Sequence, residues 1–288
     1  MRQLDAELRR FFARRMVRGT LLVAALIVVI SVGIATGRGH RGHGSYFDPV
    51  TGQITQPTGG TSDRAPDYFG EPDTRIDVGK SLENVLEGTG VALLFAGFAL
   101  GASFVGAEFN VGSLTTQLLF EPRRWRMHAA KAAAVAIGVA AFVLAVMLLV
   151  AGSMYLGSAT RGIVEGVDGA FVAHRAGEAL RIAAAVAAGA AMSYCVTLVA
   201  KRSSAGMVAF FVQYPLLFLL DPVRMPFGLL SHYSPLRGLL AVVVDPATAT
   251  GANERAIHTM AGGVVLTVVW AAILVSQSGL VFARAEVR

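Results

Sequence analysis

The sequence predicts an all-α integral membrane protein, and three observations carry that class. The 288-residue chain is 54% hydrophobic and only 15% charged, with a mean hydropathy of +0.58, whereas a soluble domain carries roughly 25% charge. A bilayer core about 30 Å thick needs about 20 apolar residues in helix, and that template fits about six times. The net charge of +6 gathers at the ends of those apolar runs rather than on one face. A single membrane domain over 1–288 accounts for the whole chain.

The six expected spans are Met16 to Thr36, Gly88 to Val105, Ala132 to Leu156, Leu180 to Ala200, Ala205 to Leu220 and His258 to Phe282. Cations accumulate in the N-terminus, the Glu108 to Lys131 hinge, Lys201 to Ser204 and the C-terminus, so the positive-inside rule places both termini in the cytoplasm. Basic residues at membrane ends, without interleaved exposed aromatics, argue against nucleic acid as a partner. Cys195 is the single cysteine, which excludes an intrachain disulfide and a cysteine metal cluster.

In residues 1–15, Leu4, Leu8, Phe11 and Phe12 recur at helical spacing among charges. The pattern predicts an interfacial helix lying apolar side down in the headgroups, with Arg9, Arg10, Arg14 and Arg15 reaching anionic lipid. A secretory leader is the alternative, but the following apolar run is long and lacks a convincing cleavage site. Residues 37–84 are rich in Gly, Pro, Asp and Thr, which predicts an extracytoplasmic loop, partly disordered. Gly79-Lys80-Ser81 there has Thr74 where a phosphate-binding loop needs glycine, and no strand leads into it. His40 and His43 lack a third ligand, so no metal site is expected.

The hinge at 108–131 is the informative stretch. Asn110 is placed to cap a short helix, with Val111, Leu114 and Leu118 on one stripe. Pro122 ends that helix, and Thr115, Thr116 and Gln117 lie off the stripe with polar groups open to a partner. Arg123, Arg124, Arg126 and Lys131 precede the next span.

Downstream, Gly97 and Gly101, with Gly189 in an alanine-rich run, let helices approach closely in lipid. Residues 157–177 read as a polar outer loop. The fifth span holds Phe210, Gln213 and Tyr214 before Pro215 bends or ends it. These side chains either pack against neighbours or face a substrate path. Residues 221–257 are short apolar pieces broken by prolines, and Leu236 to Val244 is too short to span.

Glu108, Gly112, Pro122, Arg124 and Lys131 together resemble the cytoplasmic signature of ABC-2 type transporter permeases. In that signature an acid is followed four positions on by glycine, then by proline, arginine and a lysine that opens the next span. Ser113 stands where threonine is common, Arg123 replaces a short polar residue, and the proline falls about one position late. The resemblance implies a cytoplasmic coupling helix between spans two and three, docking through Leu114, Thr115, Thr116 and Gln117 on a separate ABC ATPase subunit. It also implies an interfacial elbow helix at the N-terminus, and short re-entrant outer helices between spans five and six, acting as a gate or only as a cap. ATP and magnesium would then belong to the ATPase, two copies of which would serve this chain and a second permease copy or homologue. This chain would be no enzyme and would hold no cofactor.

The expected function is the permease half of an exporter for hydrophobic or amphipathic cargo such as drugs, lipids or peptides. Richness in Ala, Gly and Arg suggests a bacterial cytoplasmic membrane. An ABC-2-like sensing or immunity module with little transport is the nearest alternative. An ion-coupled secondary transporter would need ionisable groups at mid-membrane, and an intramembrane enzyme would need paired carboxylates, a zinc helix or a Ser/His arrangement at depth.

Overall fold

Backbone N–H and C=O groups find no water in hydrocarbon, so long apolar segments close their hydrogen bonds as helices. The computed structural model describes residues 2–38, 45–47, 54–55, 68–69, 77–112, 124–164, 166–202, 204–220, 232–244 and 259–284. Eight helices lie among them: α1 Arg2–Ala13, α2 Arg15–Arg38, α3 Val78–Val111, α4 Arg124–Arg161, α5 Gly169–Ala200, α6 Ala205–Leu220, α7 Pro235–Val243 and α8 Met260–Arg284. Four stretches are long and apolar enough to cross a membrane: Ser81–Phe109, Arg124–Thr160, Gly169–Ala200 and Met260–Ala283. The chain is therefore read as a helical membrane protein. Among the described residues α2 and the shorter α6 are not in that set.

Several helices outrun their expected spans. With 34 and 38 residues, α3 and α4 are about 51 and 57 Å long at 1.5 Å per residue, well beyond a hydrocarbon core of about 30 Å. The 37–84 segment, expected to be loop, is helical at both ends, to Arg38 and from Val78. Asp77 explains the second boundary, because its carboxylate caps the first turn of α3 by accepting from Gly79 N at 2.9 Å. Lys80 and Ser81 thus sit in a helical turn. Between the two helices, β1 Ser45–Phe47 pairs antiparallel with β2 Ile54–Thr55 and β3 Tyr68–Phe69, in the order β2-β1-β3. The 157–177 loop is also shorter than expected, since α4 runs to Arg161 and α5 starts at Gly169, capped by Asp168.

The α3–α5 pair is the centre of the bundle. A side chain at Gly101 would run into the Ala190 backbone, one at Gly97 would lie 2.7 Å from Val186 Cγ1, and one at Gly189 would lie 2.7 Å from Phe98 Cε1. The expected close approach through small residues is present, and it replaces the hydrophobic drive that lipid cannot supply. Phe98, Phe104, Val139, Val186 and Tyr194 fill the space around the seam and are buried. Cys195 is buried among them as a packing residue.

Helix α7 buries Leu236, Leu239 and Val243 completely, and Gly238 lies close against Leu266 of α8. Ser234 caps it, and the indole N–H of Trp270 donates to Tyr233 O at 2.8 Å. By contrast α2 and α8 leave apolar rows uncovered in the single chain, including Leu22, Leu26, Ile27, Val265 and Val268. Such a contiguous apolar exterior suits lipid or another helix rather than water. Some hydroxyls within the helices bond to their own backbone, as Thr20 does to Met16 O at 2.9 Å and Ser153 to Val150 O at 3.0 Å.

Candidate functional site

Where α3 ends and α4 begins, three helices bring their charges to one buried point. Helix α3 stops at Gly112, whose φ of 69° is the left-handed conformation that disfavours a side chain. Among the described residues no atom lies within 4 Å of where its Cβ would be, so backbone conformation is what calls for glycine. One turn earlier, Glu108 receives Lys131 Nζ on both carboxylate oxygens, at 2.8 and 2.9 Å. Lys131 has no exposed surface at all. Its ammonium also lies 3.4 Å from Glu7 of α1.

Arg14, beyond the end of α1, completes the arrangement. Its guanidinium is 3.7 Å from Glu108, donates to Ser103 O at 3.0 Å, and lies 4.2 Å over the Phe104 ring. Burial pulls its pKa down, while the Glu108 and Glu7 carboxylates oppose that pull. Glu7, Glu108, Lys131 and Arg14 form a neutral quartet. That neutrality is what permits four charges to share a buried site, because an unpaired ion there would cost several kcal/mol (about). Arg10 flanks it, donating to Glu7 at 2.9 Å.

This geometry corrects the expected interfacial helix in one respect. Phe11 is wholly buried, seated on Gly138 of α4 and 5.8 Å from the Phe104 ring. Helix α1 is thus docked into the bundle, with Arg14 turned inward to Glu108 and the half-exposed Arg10 paired with Glu7. Arg9 pairs with Asp5 at an exposed surface. Glu7, Phe11 and Arg14 are spaced i, i+4 and i+7, a stripe that helical periodicity alone makes visible.

The expected site residues separate into two groups. Glu108, Gly112, Arg124 and Lys131 are placed, and Glu108 and Lys131 meet directly. Lys131 is two turns inside α4 rather than at its start, because the helix already begins at Arg124. Asn110 and Val111 belong to the last turn of α3, so the short helix expected from Asn110 does not begin there. Leu114, Thr115, Thr116, Gln117 and Pro122 lie outside the described residues.

On α6, Phe210 stacks on Phe98 at 4.2 Å and is buried, and Tyr214 meets Phe95 edge-on at 5.2 Å. Gln213 Oε1 is buried without a hydrogen bond. Pro215 does not end this helix, which continues to Leu220.

Sequence reasoning missed a polar contact at the same end of the bundle. His128 is fully buried, with Tyr194 Oη 3.4 Å from Nδ1 and Ser278 Oγ 3.2 Å from Nε2. It joins α4, α5 and α8, three residues before Lys131 and on the same side of α4. At the far end of α3 a second set of charges pairs across to α5. Arg175 reaches Glu83 at 2.7 Å and Glu178 at 2.8 Å, and Arg181 lies 3.7 Å from Glu87. No group of three or more His, Cys, Asp or Glu among the described residues could hold a metal.

Comparison of the chain with protein-family models, curated proteins and solved structures found no match.

Proposed function

We propose that this chain is the permease subunit of an ABC-2 type exporter, driven by a separate ATPase. The observation that carries the reading is the Glu108–Lys131 ion pair, 2.8 Å long and buried. It joins the acid and the lysine of the signature at the foot of the 113–123 segment. Force applied to that segment would pass through the pair into α3 and α4, and through Glu7 and Arg14 into α1. The proposed coupling segment is 108–131, with Leu114, Thr115, Thr116 and Gln117 as the residues that would meet the ATPase and Pro122 after them. Arg124, opening α4, follows it.

In the full proposal α2 and α6 join the four spanning helices to make six spans, with both termini in the cytoplasm of a bacterial cell. The 221–257 region, which includes α7, caps the outer end. Two such chains, or one with a homologue, enclose the path, and two ATPase subunits bind ATP and magnesium. Phe210 is an unsuitable path residue within one chain because it is stacked in the core. Gln213, with a buried unpaired oxygen, is the better candidate, with Tyr214 beside it. Cargo is hydrophobic or amphipathic.

Against ion-coupled transport stands the placement of charge. Glu83, Glu87, Arg175, Glu178 and Arg181 lie toward one end of α3 and α5, and Glu108 and Lys131 toward the other. Mid-span positions among the described residues lack the acid or base that proton coupling uses. A sensing or immunity module would keep the coupling segment yet move little cargo.

The test is co-purification with a candidate ABC ATPase subunit co-expressed with this chain. Leu114→Glu with Thr116→Glu should abolish ATPase association while membrane insertion persists. Retained association overturns the coupling assignment, and cargo uptake by the chain alone on a proton gradient overturns the exporter.

A further inference from the structure

The foot of α2 carries cations that the chain itself leaves uncovered. Of the arginines expected to reach lipid, Arg9, Arg10 and Arg14 face carboxylates, from Asp5, Glu7 and Glu108 in turn. Among the described residues Arg15 and Arg18, both exposed, pair with no carboxylate. Arg18 is held from one side only. Its Nε donates to Phe12 O at 3.1 Å, which draws the guanidinium back toward the α1–α2 turn and leaves both Nη groups without a protein partner.

Helical geometry puts these two cations at the head of one apolar stripe. Arg15, Arg18, Leu22, Leu26 and Val29 fall at i, i+3, i+7, i+11 and i+14, a single face of a helix, and all five are exposed. The opposite face carries Val17, Ala24 and Val28, which pack on the core. From Arg18 to Val29 the stripe rises about 17 Å at 1.5 Å per residue, close to half of a hydrocarbon core of about 30 Å. One leaflet of lipid has that depth. Side chains on a helix lean toward its N-terminus, so both guanidiniums reach back from the apolar row, as a headgroup stands above its chains. Residues three apart hold their Cβ atoms about 5–6 Å apart, a spacing that one phosphate can bridge.

We propose that Arg15 and Arg18 form a binding site for one anionic phospholipid, its phosphate held between the guanidiniums and an acyl chain lying along Leu22, Leu26 and Val29. The planar guanidinium fork matches phosphate oxygens. Two adjacent cations without a carboxylate favour a headgroup of net negative charge over a zwitterion, whose own ammonium they repel. A soluble partner would meet the arginines but not the apolar row. A second copy of the chain is the rival occupant, and it would have to supply an acid. The described acids at this end, Asp5, Glu7 and Glu108, already face cations of their own chain. The site rests on α2 lying in the bilayer, which belongs to the six-span reading above, and it needs no ATPase.

Photolabelling of the full chain tests the site. Phosphatidylcholine nanodiscs are doped with phosphatidylglycerol bearing a diazirine in one acyl chain, or with phosphatidylcholine bearing the same chain. Peptide mass spectrometry should find phosphatidylglycerol label between residues 19 and 30 in about tenfold or greater excess over phosphatidylcholine label, the scale expected of two interfacial arginines. Arg15→Gln with Arg18→Gln should abolish that excess, and Arg15→Lys with Arg18→Lys should keep most of it, since the charge survives. Lys201→Gln with Arg202→Gln removes two other exposed cations of the same membrane end and should leave the excess unchanged.

Equal labelling by the two lipids, or an excess that persists in the Gln pair, overturns the site while leaving α2 in the bilayer. Loss of the excess in the Lys201 and Arg202 variant as well reduces it to general surface charge and overturns it equally. Absence of label from both lipids along the stripe overturns it together with the placement of this face in lipid.

Discussion

Lys131 shows how far a single side chain can be read in isolation. Its position after a run of arginines suggests a cation at the membrane face, yet it is completely buried between two carboxylates. The difference arises because α4 begins at Arg124, two turns before the apolar run, and carries Lys131 inward. Replacing it by methionine would leave Glu108 and Glu7 short of a counter-ion. The expected loss is about 3–5 kcal/mol, as for other broken buried pairs. Adding Glu108→Gln to Lys131→Met should restore part of that loss, and thermal unfolding of the four-protein cycle in detergent reads the coupling directly. Additive losses would mean that the pair is not a unit. His128 was invisible at this scale, because nothing in the sequence says that Tyr194 and Ser278 would meet its ring.

Among elements, the α3–α5 seam was legible and the docking of α1 was not. Glycines four apart in an apolar run announce close packing, and Gly97 and Gly101 indeed lie against Val186 and Ala190. Gly101→Ala should cost about 1–3 kcal/mol, since its Cβ meets backbone that cannot step aside. Gly88→Ala, facing open space on the same helix, should stay within about 0.5 kcal/mol of wild type. Unfolding in graded dodecyl sulfate separates the two, and equal effects would refute the seam. For α1, amphipathicity is compatible with lipid and with protein alike. Only the contact of Phe11 with Gly138 and Phe104 decides between them. Phe11→Ala should therefore cost about 3 kcal/mol, the range for an aromatic removed from a core, whereas Phe12→Ala, at a half-exposed position, should be nearly silent.

For the molecule as a whole, orientation in the membrane is the property on which the exporter reading stands. Cys195 is buried, so single cysteines placed elsewhere report sidedness with little background. Thr116→Cys should react with an impermeant maleimide only from the cytoplasmic side, and His40→Cys only from the other. Labelling of Thr116→Cys from outside intact cells would remove the coupling role of 113–123 together with the ATPase partnership. The exposed apolar rows of α2 and α8 belong to this scale too, since they find cover only in lipid or in another chain.

Hydropathy and helix period are local, so the sequence alone sufficed for the membrane class and for the rough position of the apolar runs. Helix limits were less legible, because caps such as Asp77 and Asp168 act through a single hydrogen bond that composition hides. What only tertiary structure decided is which charges share a site. Glu7 and Arg14 join Glu108 and Lys131, and among the described residues Arg15 and Arg18 are left without a carboxylate. The reason is physical: a buried charge is tolerated only where distant helices deliver its counter-ion, and the angle at which helices dock is set by the packing of whole faces.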